Sequence, residues 1–438
     1  MQRRFFEYVD ELSRTLRGKE VLLASYDGEE SDFVRFNRSA IRQPGSVMQQ
    51  YVTLELIDGR RHAKAATTVT GQADDDRAAL KAMLVELRAQ LPHVPDDPYL
   101  LYATEVHNTE QIARSTLPDS GAALDKVLAA GQGRDMVGLY AAGGIYGGFA
   151  NSLGQKNWYA SHSFCLEWCF YHQADKAVKA RYAGLAWDDG AFARKVADAT
   201  SQLEVLQRPA KTIAPGGYRV FLTPAAMVEI ASMLAWSGFG LKDHRTKNTS
   251  LLKMIEGHST LAPAITVREN VREGLGANFT GEGFVKAPVV MMIENGRYKD
   301  CLVSPRSSAE YGVPVNAGWE YPSSFEMGAG DLDEADVLAR LDTGVYVNTL
   351  WYLNYSDRPA GRITGMTRFA TFWVEGGRVT APLNVMRFDE TYYRILGTNL
   401  LALTRQRDFI PATDTYQARS TSSHRLPGAL IDDFQFTL

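Results

Sequence analysis

The stretch Trp158-Tyr159-Ala160-Ser161-His162-Ser163-Phe164-Cys165-Leu166-Glu167-Trp168-Cys169-Phe170-Tyr171-His172 admits two backbones with opposite chemical meanings. Coiled as a helix, His162, Cys165, Cys169 and His172 fall at i, i+3, i+7 and i+10, share a face and offer zinc four nitrogen and sulfur ligands. Extended as a strand, His162, Phe164, Leu166, Trp168, Phe170 and His172 point one way. Ser163, Cys165, Glu167, Cys169 and Tyr171 then point the other way, and one ion cannot reach both sets. The segment is aromatic-rich and follows a glycine-rich region, so the strand is the expected form. Packing cysteines and partly exposed histidines are expected, with a metal site on His162, His172, Cys165 and Cys169 as the alternative.

Outward from this stretch, Asp135 to Trp187 is rich in Gly, aromatic and β-branched residues and reads as a large antiparallel sheet. Within it, the run from Gly138 to Gly148 has the glycine density of a phosphate loop. It lacks a Gly-Lys-Ser/Thr ending and an acidic ribose ligand in a βαβ setting, so a tight strand-to-strand turn is expected there. Upstream, Phe5, Val9, Leu12 and Leu16 recur at helical spacing before Gly18. Strands are expected at Val21–Ser25, Asp32–Asn37 and Gln50–Ile57, with Asp58-Gly59 as a hairpin turn. A helix follows from about Asp76, carried by Leu80, Met83, Leu84, Leu87 and Leu91, and another lies near Ala122–Ala130. Downstream, Asp188-Asp189 open a helix through Leu206. The segment from Gln207 to Gly217 has two Pro, two Gly and no apolar period, which marks a linker. It divides the chain into residues 1–212 and 213–438. The second part opens with a strand at Tyr218–Leu222 and a helix from Pro224, a residue suited to a first helical position. A helix at Leu332–Leu341 and a hairpin at Glu375-Gly376-Gly377 follow. Helices and mostly antiparallel strands in separate groups make an α+β protein.

A length of 438 residues exceeds one ordinary core and agrees with two domains. With 47 Lys+Arg against 51 Asp+Glu, the net charge is −4, which argues against nucleic acid as the partner because phosphate binding needs concentrated positive charge. No uninterrupted apolar run is long enough for a membrane span. The start Met1-Gln2-Arg3-Arg4-Phe5-Phe6-Glu7 turns polar at once and does not read as a signal peptide. Three cysteines cannot build a disulfide framework. A reducing cytoplasm is the expected compartment.

Other candidate chemistry is thin. None of His62, His93, His107, His162, His172, His244, His258 and His424 is followed by Glu, so neither H-E-x-x-H nor H-E-x-x-x-H occurs. G-x-S-x-G is absent as well. His244 and His258 lie in a polar stretch, where surface or hydrogen-bonding roles are expected. Cys301 has no base beside it, and burial is expected. Asp331, Asp333, Glu334 and Asp336 suit a helix start better than a calcium loop. Trp351, Tyr352 and Tyr355 beside Arg358 and Arg362 could stack on a base or grip a peptide, but core and sheet packing is the commoner fate of such aromatics.

Several segments together resemble the TldD/PmbA (TldE) family of metallopeptidase-related proteins. These are the run from Phe33 to Gln43, the turn Asn151-Ser152-Leu153-Gly154, Gly281-Glu282-Gly283, Ile293-Glu294-Asn295-Gly296, Ser308-Ala309, Gly344-Val345-Tyr346-Val347, Gly365-Met366-Thr367-Arg368-Phe369, and Trp373 through the glycine turn to Leu383. Their order spans nearly the whole chain. The resemblance implies an N-terminal α/β domain and a C-terminal domain on antiparallel sheet. It also implies a pair in which a TldD-type subunit holds zinc through H-E-x-x-x-H, inside a chamber where unfolded peptides are cut, including peptide precursors and antitoxins. Here that motif's place, just after Tyr218–Leu222, carries Thr223 and Val228 for the two histidines and Pro224 for the glutamate. Nothing after Cys301 supplies the late cysteine ligand, and Glu229 alone cannot hold zinc.

The resemblance therefore implies a catalytically silent, TldE-like subunit without a cofactor of its own. Its expected partners are a TldD-like chain bearing H-E-x-x-x-H, where the zinc resides, and an extended peptide; a homodimer stays open. The alternatives are a stand-alone metallohydrolase using His162/His172 or His244/His258, and a non-enzymatic protein-binding modulator.

Overall fold

The computed structural model describes residues 1–173 and 176–437. Two β-sheets organise them. The first holds β1 (Val21–Asn37), β2 (Ala40–Asp58), β3 (Arg61–Thr68), β4 (Thr109–Ile112), β5 (Asp135–Asn151), β6 (Lys156–Gln173) and β7 (Lys176–Gly184). Their order is β3-β2-β1-β5-β6-β4, with β7 also paired to β6. β4 runs parallel to β6, and the other pairs of this sheet are antiparallel. β6 contains the whole of residues 158–172 and pairs with β5 without a register shift from Asp135↔Tyr171 to Ala150↔Lys156. Phe164, Leu166, Trp168 and Phe170 accordingly share one face and enter one apolar core.

Helices cover that face. α1 (Gln2–Ser13) and α2 (Ala73–Gln90) bury Phe5, Val9, Leu12, Leu80, Leu84 and Leu87 over Leu22, Ala24, Leu54 and Leu56. α3 (Ser120–Gly131) and α4 (Asp189–Leu206) pack Ala123, Val127, Phe192, Ala199 and Leu206 with the β6 aromatics and with Val34 and Phe36. Asp119 and Asp188 cap these two helices by accepting the N–H groups of Ala122 and Ala191.

Two local expectations are corrected. Val21–Ser25 and Asp32–Asn37 belong to one continuous strand. The acidic run between them pairs on both edges, with β2 and β5, so every backbone group finds a partner and poor strand propensity is overridden. The glycine run 138–148 lies inside β5 and makes no turn. Gly143 has φ 151°, and a Cβ there would stand 2.0 Å from the Glu30 carbonyl oxygen, so close approach of β1 is what demands glycine.

The second sheet holds β8 (Gly216–Leu222), β9 (Val267–Glu269), β10 (Val290–Glu294), β11 (Arg297–Tyr298), β12 (Ser324–Met327), β13 (Gly344–Asp357), β14 (Arg362–Glu375), β15 (Arg378–Pro382), β16 (Arg387–Thr391), β17 (Leu400–Pro411) and β18 (Ser423–Phe436). Their order is β11-β10-β9-β12-β18-β16-β14-β13-β8, with β15 on β14 and β17 on β18. β18 also pairs with β8, which closes β8, β13, β14, β16 and β18 into a ring. α5 (Pro224–Ala235) packs into this unit; Ala226, Met227, Ile230, Ala231 and Leu234 are fully buried. The helix expected at Leu332–Leu341 begins late. Leu332 bridges Thr404, and Asp333 accepts the Ala335 N–H to start a short 3-10 turn before Val337–Leu341.

Architecture is thus α+β, with a mostly antiparallel first sheet and a large mixed second sheet. Among the described residues no helix is long and apolar enough to cross a membrane. The two sheets meet through Phe279, which packs on Leu23, Phe149 and Tyr159, and through Gln155, whose Nε2 donates to the Gly283 carbonyl at 2.6 Å.

Candidate functional site

β8 delivers the chain to Thr223, which begins α5 as its N-cap. The Thr223 Oγ1 accepts the Ala226 N–H at 3.2 Å and donates to the Asn348 carbonyl at 2.8 Å. Its own N–H donates to the Val347 carbonyl at 3.1 Å. The side chain is buried, so its hydroxyl is committed to holding helix and strand together. Pro224 occupies the first helical position and has no side-chain donor atom. Val228 packs half-buried against the core around α5. The three positions together offer no ligand set for zinc: one engaged hydroxyl, a pyrrolidine ring and an isopropyl group. Replacing Thr223 by Val should remove the cap and one buried hydrogen bond. The expected loss is about 1–2 kcal/mol of stability, read as a lower urea midpoint.

Glu229, one residue on, turns away from that core toward the first sheet. Burial pushes its carboxyl above the usual range, against the pull of Lys179 and Arg181 and with the support of Glu167. Those three residues form a cluster across β6 and β7, where Glu167 pairs with Arg181 in register and Cys169 with Lys179. Arg181 Nε donates to Glu167 at 2.6 Å, and Lys179 Nζ stands 3.5 Å from the same carboxylate. Burial alone would raise Glu167, but the two cations hold it below the usual carboxylate range. Nearby, the Arg368 guanidinium lies 3.8 Å from the Trp351 ring centroid, and its charge reaches Cys169. A polar wall from one sheet therefore faces the start of a buried helix in the other.

Among the described residues β13 pairs with β8 only at Val345, Tyr346 and Val347. From Thr349 onward, among the described residues, its only strand partner is β14. Trp351 and Tyr352 stand exposed there, and Tyr352 adopts φ 57°, an uncommon conformation for an aromatic residue.

The other sequence candidates stay apart. His162 and His172 share a face of β6 but lie ten residues apart, roughly 33 Å at about 3.3 Å per residue. Cys165 and Cys169 are on the opposite face, and burial pushes their thiols up to about 12 and about 11. His244 Nε2 lies 2.7 Å from the Gly238 carbonyl, burial lowers its pKa, and the exposed His258 sits beside Glu256 at 3.6 Å. Cys301 is buried near Leu241 and Val303. Asp333 caps its turn and meets Arg405 at 3.3 Å. Arg358 lies against both Trp236 and Tyr355, 4.9 and 5.0 Å from their ring centroids. Among the described residues no three His, Cys, Asp or Glu side chains converge as a metal site.

Sequence reasoning missed Lys179 and Arg181. Their signal is the alternation Lys179-Ala180-Arg181 opposite Cys169 and Glu167, legible only once β6 and β7 are paired.

A family model for the PmbA/TldA metallopeptidase C-terminal domain matches residues 215–438. No curated protein matches the chain by sequence. Solved structures resemble it over its full length. A proposed modulator of DNA gyrase from Thermotoga maritima has TM-score 0.77 at 14% identity, with 100% of both chains covered. TldE from Thermococcus kodakarensis has TM-score 0.77 at 13% identity, covering 99% of this chain and 100% of that one. A proposed modulator of DNA gyrase from Bacteroides thetaiotaomicron has TM-score 0.73 at 16% identity, covering 99% and 98%. At such identities the likeness shows the fold, whereas the family model extends from just before β8 through β18: the chain belongs to the PmbA/TldD family and is a metallopeptidase-related protein.

Proposed function

We propose that this chain is the TldE-like, catalytically silent subunit of a two-chain zinc peptidase. It would pair with a TldD-like chain that carries H-E-x-x-x-H and holds the metal. The observation that carries the reading is the start of α5. At the place where the resemblance expects the zinc motif stand a Thr hydroxyl already bonded to Asn348 and Ala226, a Pro, and a Val half-buried against the core. A subunit of this kind contributes walls and guidance. The edge of β13 beyond Val347 can take an extended peptide by main-chain hydrogen bonds, which are indifferent to side chains and so suit unfolded substrates, peptide precursors and antitoxins among them. Lys179, Arg181 and Glu167 of the first sheet lie near Glu229 of α5, and on this reading they would flank that peptide. On this reading residues 1–212 and 213–438 are the two domains, and the protein works in the cytoplasm.

Elemental analysis and pull-down test the reading. The purified chain should carry well under one zinc and should retain an H-E-x-x-x-H partner from a mixture of the two. One tightly held zinc per chain, or no association with such a partner, would overturn it.

A further inference from the structure

The loop joining β17 to β18, residues 412–422, leaves its own sheet and crosses the face of the other. It is shaped by its own hydrogen bonds: Ala412 N–H donates to the Ser422 carbonyl at 2.8 Å, and Ser420 N–H to the Asp414 carbonyl at 3.1 Å. Tyr416 N–H donates to Asp414 Oδ1 at 3.0 Å, while the Tyr416 ring is 83% exposed. None of these residues joins an apolar core.

Its grip on the first sheet is polar and rests on one side chain. Arg419 is 9% exposed. Its Nη2 donates to the Ser163 carbonyl at 2.9 Å and to Ser163 Oγ at 2.7 Å; its Nη1 donates to Ser31 Oγ and the Gly143 carbonyl, both at 3.3 Å. The Arg419 N–H reaches Glu29 Oε2 at 3.3 Å, and Gln49 Nε2 donates to the Gln417 carbonyl at 2.8 Å. All acceptors of the guanidinium are neutral. Buried Glu29 keeps its Oε1 without a partner, and no carboxylate makes an ion pair with Arg419 among the described residues. These charge-assisted bonds are what holds the loop down, and losing them would weaken the docked state.

Beneath the loop lies a small, partly open cleft with room for about one water molecule while the loop is down. Leu139, Ala141, Cys165 and Glu167 line its sheet side, and residues 412–415 with Arg419 form its roof. Glu167 is also the carboxylate of the Lys179–Arg181 cluster facing Glu229.

We propose that residues 412–422 are a lid pinned shut by the Arg419 guanidinium. Its lifting opens the cavity and admits an extended peptide to the space running from Cys165 and Glu167 toward Glu229. The peptide as occupant rests on the function proposed above; the lid itself does not.

Cys165, under the lid, reports its opening, and Cys301, buried elsewhere, is the control. Labelling of the full chain with N-ethylmaleimide, read at each cysteine by peptide mass spectrometry, tests the idea. In Arg419→Met, Cys165 should react roughly tenfold faster or more, the effect of losing about one charge-assisted hydrogen bond, with Cys301 unchanged. Arg419→Lys should fall between. Equal acceleration at both cysteines, or none at Cys165, would overturn the lid. Should Arg419→Met fail to fold, the wild-type chain decides. A Cys165 labelling rate nearly independent of low urea marks local opening, whereas a slope as steep as that of Cys301 marks global unfolding and overturns the proposal. Neither readout uses zinc or a partner, so failure here is distinct from failure of the two-chain reading.

Discussion

Mixing this chain, inactive by itself, with an H-E-x-x-x-H-bearing partner should give peptidase activity well above the partner's own. In the proposed pair the partner's zinc would supply the activated water, and this chain would help hold the substrate. A peptide out of place by about 1 Å at the reacting bond can lose 10²-fold in rate, so the pair should exceed the sum of its parts by about 10²-fold or more. Changing the partner's motif Glu to Gln should abolish turnover while leaving the pair associated. Changing Thr223, Pro224 or Val228 here should leave the chemistry of an assembled pair intact wherever the variant folds, since none supplies a ligand. Hydrolysis of an unfolded peptide, followed for each chain alone and for the mixture, reads all of this. A partner equally active without this chain would sink the idea.

Glu326 makes the second large effect. It is buried in β12 and accepts from Arg268 at 2.5 Å, Arg407 at 2.6 Å and Asn270 Nδ2 at 2.6 Å. Burial alone would raise its pKa, but those three donors carry it down from 4.5 to about 2. A carboxyl lowered by folding stabilises the native state fully above its unfolded pKa and loses that contribution as pH falls through the folded value. The window therefore runs from about pH 5 down to about 2, and the contribution is on the order of 3 kcal/mol. Glu326→Gln at pH 7 should cost roughly 3–5 kcal/mol, because two arginines then sit against a neutral amide. Urea unfolding at several pH values separates the two chains: the wild type should lose stability across the acid window, and the variant much less. Parallel pH profiles would refute the assignment.

What the sequence disclosed followed from local period. Residues 158–172 are legible as a strand because Phe164, Leu166, Trp168 and Phe170 share one face, which the helices cover, although the other face is largely buried too. Asp58-Gly59 and Gly376-Gly377 announced their hairpins, since glycines at φ 64°, 54° and 71° need no neighbour to explain them. Gly143 is different: its cause is the backbone of Glu30 on another strand, invisible to a window of adjacent residues. The pairing of Asn151-Ser152-Leu153-Gly154 with Gly281-Glu282-Gly283 was equally hidden. The first forms a turn in which Asn151 Oδ1 accepts from Leu153 and Gln155, and Gln155 then reaches the Gly283 carbonyl. Arg419 gave no signal at all. Gln417-Ala418-Arg419-Ser420 reads as an ordinary polar loop, and the burial of its Arg depends on Ser163, Gly143 and Ser31, which lie 256, 276 and 388 residues away. Thr223 and Pro224 were legible as a helix start, but the Asn348 bond that occupies the hydroxyl comes from a distant strand.

The closure of β18 onto β8 carries a consequence for biosynthesis. β18 is the seam of the second sheet, touching β8, β12, β16 and β17, and it emerges from the ribosome after all of them. The N-terminal strands and their helices can associate while translation continues, but the ring must wait with β8 unpaired on that side until its final stave arrives. During that interval a nascent chain exposes apolar strand edges, so its yield in cells should depend on chaperone supply and on the pace of elongation over the last strands.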